Sequence, residues 1–164
     1  MEFKALPKFK VISGIRFVLD AFGSYSPENL EFLPAKIPVK VRVPADCLPF
    51  LSPIRRAECE TFMIVTLDAA HQIIQSHIVT KGLVNKSLCH PREVFRPAIV
   101  QMAVSILLAH NHPSGICDPS SDDLITTRRL CDAGKLLGIK VLDHLIVTEN
   151  GFLSLKEKYP DYFC

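Results

Sequence analysis

The sequence predicts an α/β or α+β sandwich in which helices pack on a curved sheet. Three observations predict it. Apolar runs of strand length recur along the chain, and two longer stretches carry helix start and stop signals. At 164 residues the chain matches one ordinary domain with some extension. With 48% hydrophobic and 22% charged residues, its composition is globular and argues against disorder.

The first 45 residues read as an N-terminal extension and residues 46–164 as the domain proper. The extension holds Pro7, Pro27, Pro34 and Pro38, and its segment from Phe9 to Phe22 fits one strand or a short helix equally well. Lys36 to Val43, KIPVKVRV, alternates like an edge strand, because Pro38 would interrupt a central one. TFMIVTLD, ending at Asp68, reads as a buried strand, and Ile73 to Thr80 as a second. Gly82 breaks it, and Leu83 to Leu88 is a third candidate. Pro91 suits a helix first turn, with Glu93 stabilised near the positive end of the dipole. Ser105 to His110 is a strand, and HPSGICDP a loop rich in turn residues. Ser121 to Leu137 is a helix with Leu124, Cys131 and Leu137 facing inward, stopped by Gly138. IKVLDHLIV is strand-like, and Asn150-Gly151 makes a hairpin turn before FLSL.

Net charge is only +2, so bulk charge does not indicate a nucleic-acid or membrane partner. No apolar run reaches the length of a membrane span, and MEFKALPKFK lacks the apolar core of a signal peptide. The six cysteines form no C-x-x-C pair, which argues against a thiolate zinc knuckle. A cytoplasmic protein with reduced, buried thiols is expected.

The chemistry concentrates between His110 and Asp123. His110 and His112 are two residues apart at a strand end, so both imidazoles can face one side and share a zinc ion. Pro113 and Gly115 turn the chain, and Asp123, in the first turn of the next helix, can swing its carboxylate to the same ion. Two histidines and one carboxylate leave the fourth tetrahedral position open, as a catalytic zinc site requires. A carboxylate that does not bind the metal must then move protons. Glu60, immediately before the TFMIVTLD strand, is a candidate, and Glu58 shares its face on an extended segment. The Ser120 hydroxyl is a candidate oxyanion donor.

Other readings compete. Ser120-x-x-Asp123 is also a helix capping box. Asp143-His144 suggests a local hydrogen-bonded pair on a strand rather than a second metal site. His71, His77 and His90 have no partner at ligand spacing, and Cys117 reads as a plain loop cysteine. Lys36, Lys40, Arg42, Arg55 and Arg56 would suit DNA contact, but equally make a solvated face.

The order Glu, then His-x-His-Pro, six residues, Ser, two residues, Asp resembles the JAMM motif of the JAB/MPN metalloprotease superfamily. His110, His112, Pro113, Ser120 and Asp123 match it position by position. Within that superfamily the chain resembles the bacterial RadC family. ETFMIVTLD (Glu60 to Asp68), HPREVF (His90 to Phe95), AHNHPSG (Ala109 to Gly115), PSSDD (Pro119 to Asp123) and LGIKVLDHLIV (Leu137 to Val147) carry the likeness. The resemblance implies a cytidine-deaminase-like α/β/α fold. It implies zinc held by His110, His112 and Asp123, Glu60 as general acid/base, and Ser120 as transition-state stabiliser. The implied reaction is amide or isopeptide hydrolysis on an unknown protein or peptide substrate. Full-length members usually carry an N-terminal helix–hairpin–helix-like domain; the first 45 residues show no such hairpin and resemble the short, prophage-like form. A metal-dependent nuclease or DNA-repair factor and a non-catalytic interaction module are the alternatives. An exposed N-terminal strand offers an edge to a second copy, hence a homo-oligomer.

Overall fold

A computed structural model describes residues 9–12, 15–18, 39–82 and 89–163. The chain divides into two compact units, Met1–Ile37 and Pro38–Cys164. In the first, β1 (Phe9–Ile12) and β2 (Ile15–Val18) pair antiparallel with Ile12 opposite Ile15. Where one strand or a short helix was expected, there is a two-stranded ribbon. The missed signal is the Ser13-Gly14 pair between the strands, since a two-residue connection containing glycine favours a hairpin.

The second unit holds a five-stranded mixed sheet. Its strands are β3 (Thr61–Leu67), β4 (Ile73–Lys81), β5 (Ser105–Asn111), β6 (Lys140–Val147) and β7 (Phe152–Ser154). Their spatial order is β4-β3-β5-β6-β7. Only β5 and β6 run parallel, and the crossover between them carries the long helix α3 (Ser121–Leu137). Strands covered on both faces read as continuous apolar runs, and every residue of β3 and of β5 is buried.

Side-chain alternation splits these strands between two cores. Phe62, Ile64, Ile106 and Leu108 pack with Val94 and Phe95 of α2 (Pro91–Val100) and with Leu130 of α3. Met63, Val65, Leu107 and Ala109 face Cys47, Leu51 and Ile54. The last three lie on a 3-10 helix (Pro44–Leu51) and on α1 (Ser52–Arg55). The sheet is thus sandwiched, as expected of an α/β/α fold. A register shift opposite Ile106/Leu107 changes the phase of β6, so that Ile146 joins the first core and Leu145 the second. A short helix α4 (Leu155–Lys158) packs against β6, and a 3-10 helix (Pro160–Tyr162) follows it.

Some elements differ from expectation. Of the expected edge strand Lys36–Val43, residues 39–43 make only an isolated bridge, Lys40 to Gln72, before Pro44 opens the 3-10 helix. Residues 36–38 and the candidate strand Leu83–Leu88 lie outside the described residues. Cys131 is buried on α3 as expected, but Leu137 is 48% exposed. Gly138, with φ +69°, turns the chain there, and Ile139 fills the core position instead. Gly134 allows that return, because a Cβ there would sit 2.5 Å from the Ile139 carbonyl oxygen. No helix among the described residues is long and apolar enough to cross a membrane.

Candidate metal centre

The site forms where the C-terminal end of β5 meets the N-terminus of α3. His110 shares the parity of Ile106 and Leu108, so its ring lies on the α2/α3 side of the sheet, 1% exposed. His112 follows the strand and is tied to β6 by its N–H, which donates to the Val147 carbonyl at 3.0 Å. After the turn, α3 starts with Ser120 as its cap. The Ser120 Oγ accepts from the Asp123 N–H at 3.2 Å, and Asp123 Oδ2 accepts from the Ser120 N–H at 2.7 Å. The Ser120 hydroxyl also donates to Asp123 Oδ2 at 2.6 Å. The capping box therefore forms, and by forming it aims the Asp123 carboxylate at the histidines.

Four electron-rich atoms converge. His110 Nε2 lies 3.0 Å from His112 Nε2 and 3.2 Å from Asp123 Oδ1, and His112 Nε2 lies 3.5 Å from Asp123 Oδ2. The far side of each ring decides what these nitrogens carry. His112 Nδ1 sits 2.8 Å from the Ile116 carbonyl oxygen, which can only accept. Neutral His112 therefore keeps its proton on Nδ1 and a lone pair on Nε2.

For His110 the same conclusion comes through a buried relay. The Thr127 hydroxyl donates to the Asp123 backbone carbonyl at 2.6 Å, so towards His144 Nδ1, also at 2.6 Å, it can only accept. His144 thus carries its proton on Nδ1 and offers Nε2 as an acceptor, 2.9 Å from His110 Nδ1. His110 donates there, and its Nε2 faces Asp123 with a lone pair. Thr127 is 0% and His144 1% exposed, so solvent does not loosen the chain. Two imidazole lone pairs and a carboxylate at this spacing repel unless a cation lies among them, and the donor set fits a metal ion. Among the described residues these three form a group that could hold one.

Burial alone would raise the Asp123 pKa, but its close contacts with His110 and His112 and its bond from the Ser120 hydroxyl together hold it well below the usual carboxylate range. Asp143 behaves oppositely: burial pushes it up against the opposing bonds from Ser154, Lys156 and His144.

Glu60 lines the cleft beside the donors, together with Phe62, Thr80, His110, Asp123 and His144. Glu58 is exposed. Ser120 stands at the site through its bonds to Asp123, not as an isolated hydroxyl. Asp143 and His144 do not pair through their side chains, because neighbours on a strand point to opposite faces. The Asp143 carboxylate accepts from the His144 backbone N–H at 2.6 Å and from the Ser154 hydroxyl at 2.6 Å, while the His144 ring belongs to the relay. Cys117 Sγ contacts Thr148 Oγ1 at 3.5 Å. Two members of the basic stripe are engaged within the chain: Arg55 donates to the Thr148 and Glu149 carbonyls, and Arg56 pairs with the Glu149 carboxylate.

A sandwiched mixed sheet with a His-His-Asp donor set at the end of its central strand defines a domain of the JAB class. A family model described as the RadC-like JAB domain matches residues 41–159, and the chain belongs to that family. It is 45% identical over 121 residues to a UPF0758 protein of Clostridium perfringens, covering 73% of this chain and 53% of that one. It is 41% identical over 131 residues to a UPF0758 protein of Desulforamulus reducens, covering 79% and 58% respectively. A UPF0758 protein of Methanospirillum hungatei is 50% identical over 97 residues, 59% of this chain and 43% of that one. The chain spans about half the length of the curated relatives it matches.

Proposed function

We propose that this chain is a zinc-dependent metallohydrolase that cleaves an amide bond, as a metallopeptidase or isopeptidase. The observation that carries the proposal is the donor set: two imidazole nitrogens whose far partners leave them as lone pairs, beside a carboxylate fixed by a helix cap. His110, His112 and Asp123 would hold the ion. When bound, zinc polarises the substrate carbonyl and makes water a usable nucleophile near neutral pH. Glu60, on the cleft wall and outside the donor set, takes the proton of the attacking water and returns it to the leaving amine. Ser120 helps to stabilise the oxyanion by turning its hydroxyl proton away from Asp123 towards the developing charge. The substrate is a protein or peptide, and the cytoplasm suits the five free cysteines among the described residues.

Metal analysis and hydrolysis of peptide and isopeptide substrates test the proposal together. Zinc bound tightly at one per chain is expected. Glu60→Gln keeps the metal and loses hydrolysis, while His112→Ala loses both. Protein that retains no metal and takes none up on titration overturns the reading. Cleavage of single-stranded or plasmid DNA that disappears in His110→Ala would replace it with a nuclease.

A further inference from the structure

The ladder between β3 and β5 stops at the pair Phe62↔His110. The next residue of β5 is Asn111, 1% exposed. It has the parity of Leu107 and Ala109, so its side chain leaves the sheet on the α1 side, opposite to His110. There it takes over where the ladder ends. Asn111 Oδ1 accepts from the Thr61 N–H at 2.8 Å, and Nδ2 donates to the Ala57 and Cys59 carbonyls at 3.1 and 3.3 Å.

Glu60 lies between the anchored groups. The peptide before it is held at the Cys59 oxygen, and the peptide after it at the Thr61 N–H. The Glu60 carbonyl itself accepts from the Gly82 N–H at 2.9 Å. Peptide groups are planar, so fixing both planes around one Cα fixes its φ and ψ and the direction of its Cβ. The Thr61 hydroxyl also donates to the Cys59 oxygen, at 3.1 Å, so two of the four bonds that do this come from one amide.

We infer that Asn111 is a positioning residue that sets the Glu60 carboxylate against the metal centre. The inference rests on the role given to Glu60 above. The tripeptide His110-Asn111-His112 then builds the site from both faces of the sheet: the histidines supply metal donors on one face, and the asparagine fixes the proton carrier from the other. Continuing the ladder would bring residue 60 opposite His112; where it ends, the Asn111 side chain satisfies the buried Thr61 N–H instead.

The test compares zinc-loaded full chains of the wild type, Asn111→Ala, Asn111→Asp, Glu60→Gln and the Asn111→Ala/Glu60→Gln double variant. Asn111→Asp serves as the second variant if Asn111→Ala fails to fold; it keeps the acceptor for Thr61 and loses the donor to Cys59. Zinc affinity should stay within roughly threefold of wild type, since Asn111 touches no donor in the metal group. On an isopeptide substrate kcat should fall about 10²–10³-fold, the scale of a lost general base, with KM little changed. In the Glu60→Gln background Asn111→Ala should cost nothing further, because the residue it positions is already disabled. Undiminished kcat, a loss that multiplies in that background, or zinc affinity falling as far as kcat would each overturn the inference.

If the wild type hydrolyses nothing, the chemistry assigned to Glu60 has failed, and the pH profile of the cobalt(II)-substituted protein's visible bands decides the positioning. Glu60→Gln should then shift that profile and Asn111→Ala should reproduce the shift. No shift in Asn111→Ala overturns the inference, as does no shift in either variant.

Discussion

Thr127→Val should weaken zinc binding although Thr127 touches no metal donor. Valine matches threonine in shape, so the change deletes one hydroxyl from a site with 0% exposure. His144 Nδ1–H then loses the acceptor it has at 2.6 Å. An unsatisfied buried donor costs roughly 1–3 kcal/mol. His144 can escape by moving its proton to Nε2, but that points it at the proton on His110 Nδ1, 2.9 Å away. His110 must then move its own proton to Nε2, the atom that faces Asp123. Either way, metal binding has to reverse an arrangement that the free protein prefers. The expected loss is about 10–100-fold in zinc affinity, the range seen when outer partners of metal ligands are removed. That equals about 1.4–2.8 kcal/mol, within the estimate from the lost acceptor. Competition against a fluorescent chelator at fixed pH measures it. Thr127→Ser keeps the hydroxyl and should bind within about threefold of wild type. A folded Thr127→Val protein with unchanged affinity would refute the relay, and Thr127→Ser as weak as Thr127→Val would blame packing rather than the hydroxyl.

Further outcomes follow from the same geometry. Asp143→Ala should lower stability by about 2–4 kcal/mol in denaturant titration, since it strands the Ser154 hydroxyl and the His144 and Lys156 N–H groups. The Asp123 carboxyl is depressed below its unfolded value of 3.8, so its contribution to the metal-free protein is complete above that pH and is lost only as pH falls through the lower folded value. In acid denaturation of the metal-free protein, the stability difference between wild type and Asp123→Asn should therefore stay constant above that pH and shrink only below it. Gly134→Ala should cost about 1–3 kcal/mol, because its Cβ meets the Ile139 carbonyl at 2.5 Å. Leu136→Ala, at a position 90% exposed, should change the melting temperature little.

The parts of this molecule that could be read from its sequence are those whose signals are local. TFMIVTL and SILLAHN are apolar on both faces, so they announce buried strands without reference to any partner. The donor spacing works in the same way, since a strand end, a tight turn and a helix cap are set by neighbours in sequence. The place of His144 is not legible locally, because its ring partners, Thr127 and His110, are 17 and 34 residues away. Its facing depends on a register shift in the parallel β5–β6 pair, which no periodicity records. Asn111 was overlooked between two more conspicuous histidines, although its links to Thr61 and Cys59 need only the antiparallel pairing of β3 with β5. The 3-10 helix Pro44–Leu51 left no comparable signal, since its two prolines interrupt both the strand and the α-helix pattern.

The central position of β5 makes the site intolerant of changes in length. Inserting one residue in Ser105–Asn111 upstream of His110 would turn both histidines to the α1 side and send an asparagine into the metal face. Inserting two would restore the facing but displace the donors by about 6.6 Å along the strand, beyond the reach of Asp123. Chains that share this chemistry should therefore vary in length before β5 or beyond α3, and hold every residue in phase between them.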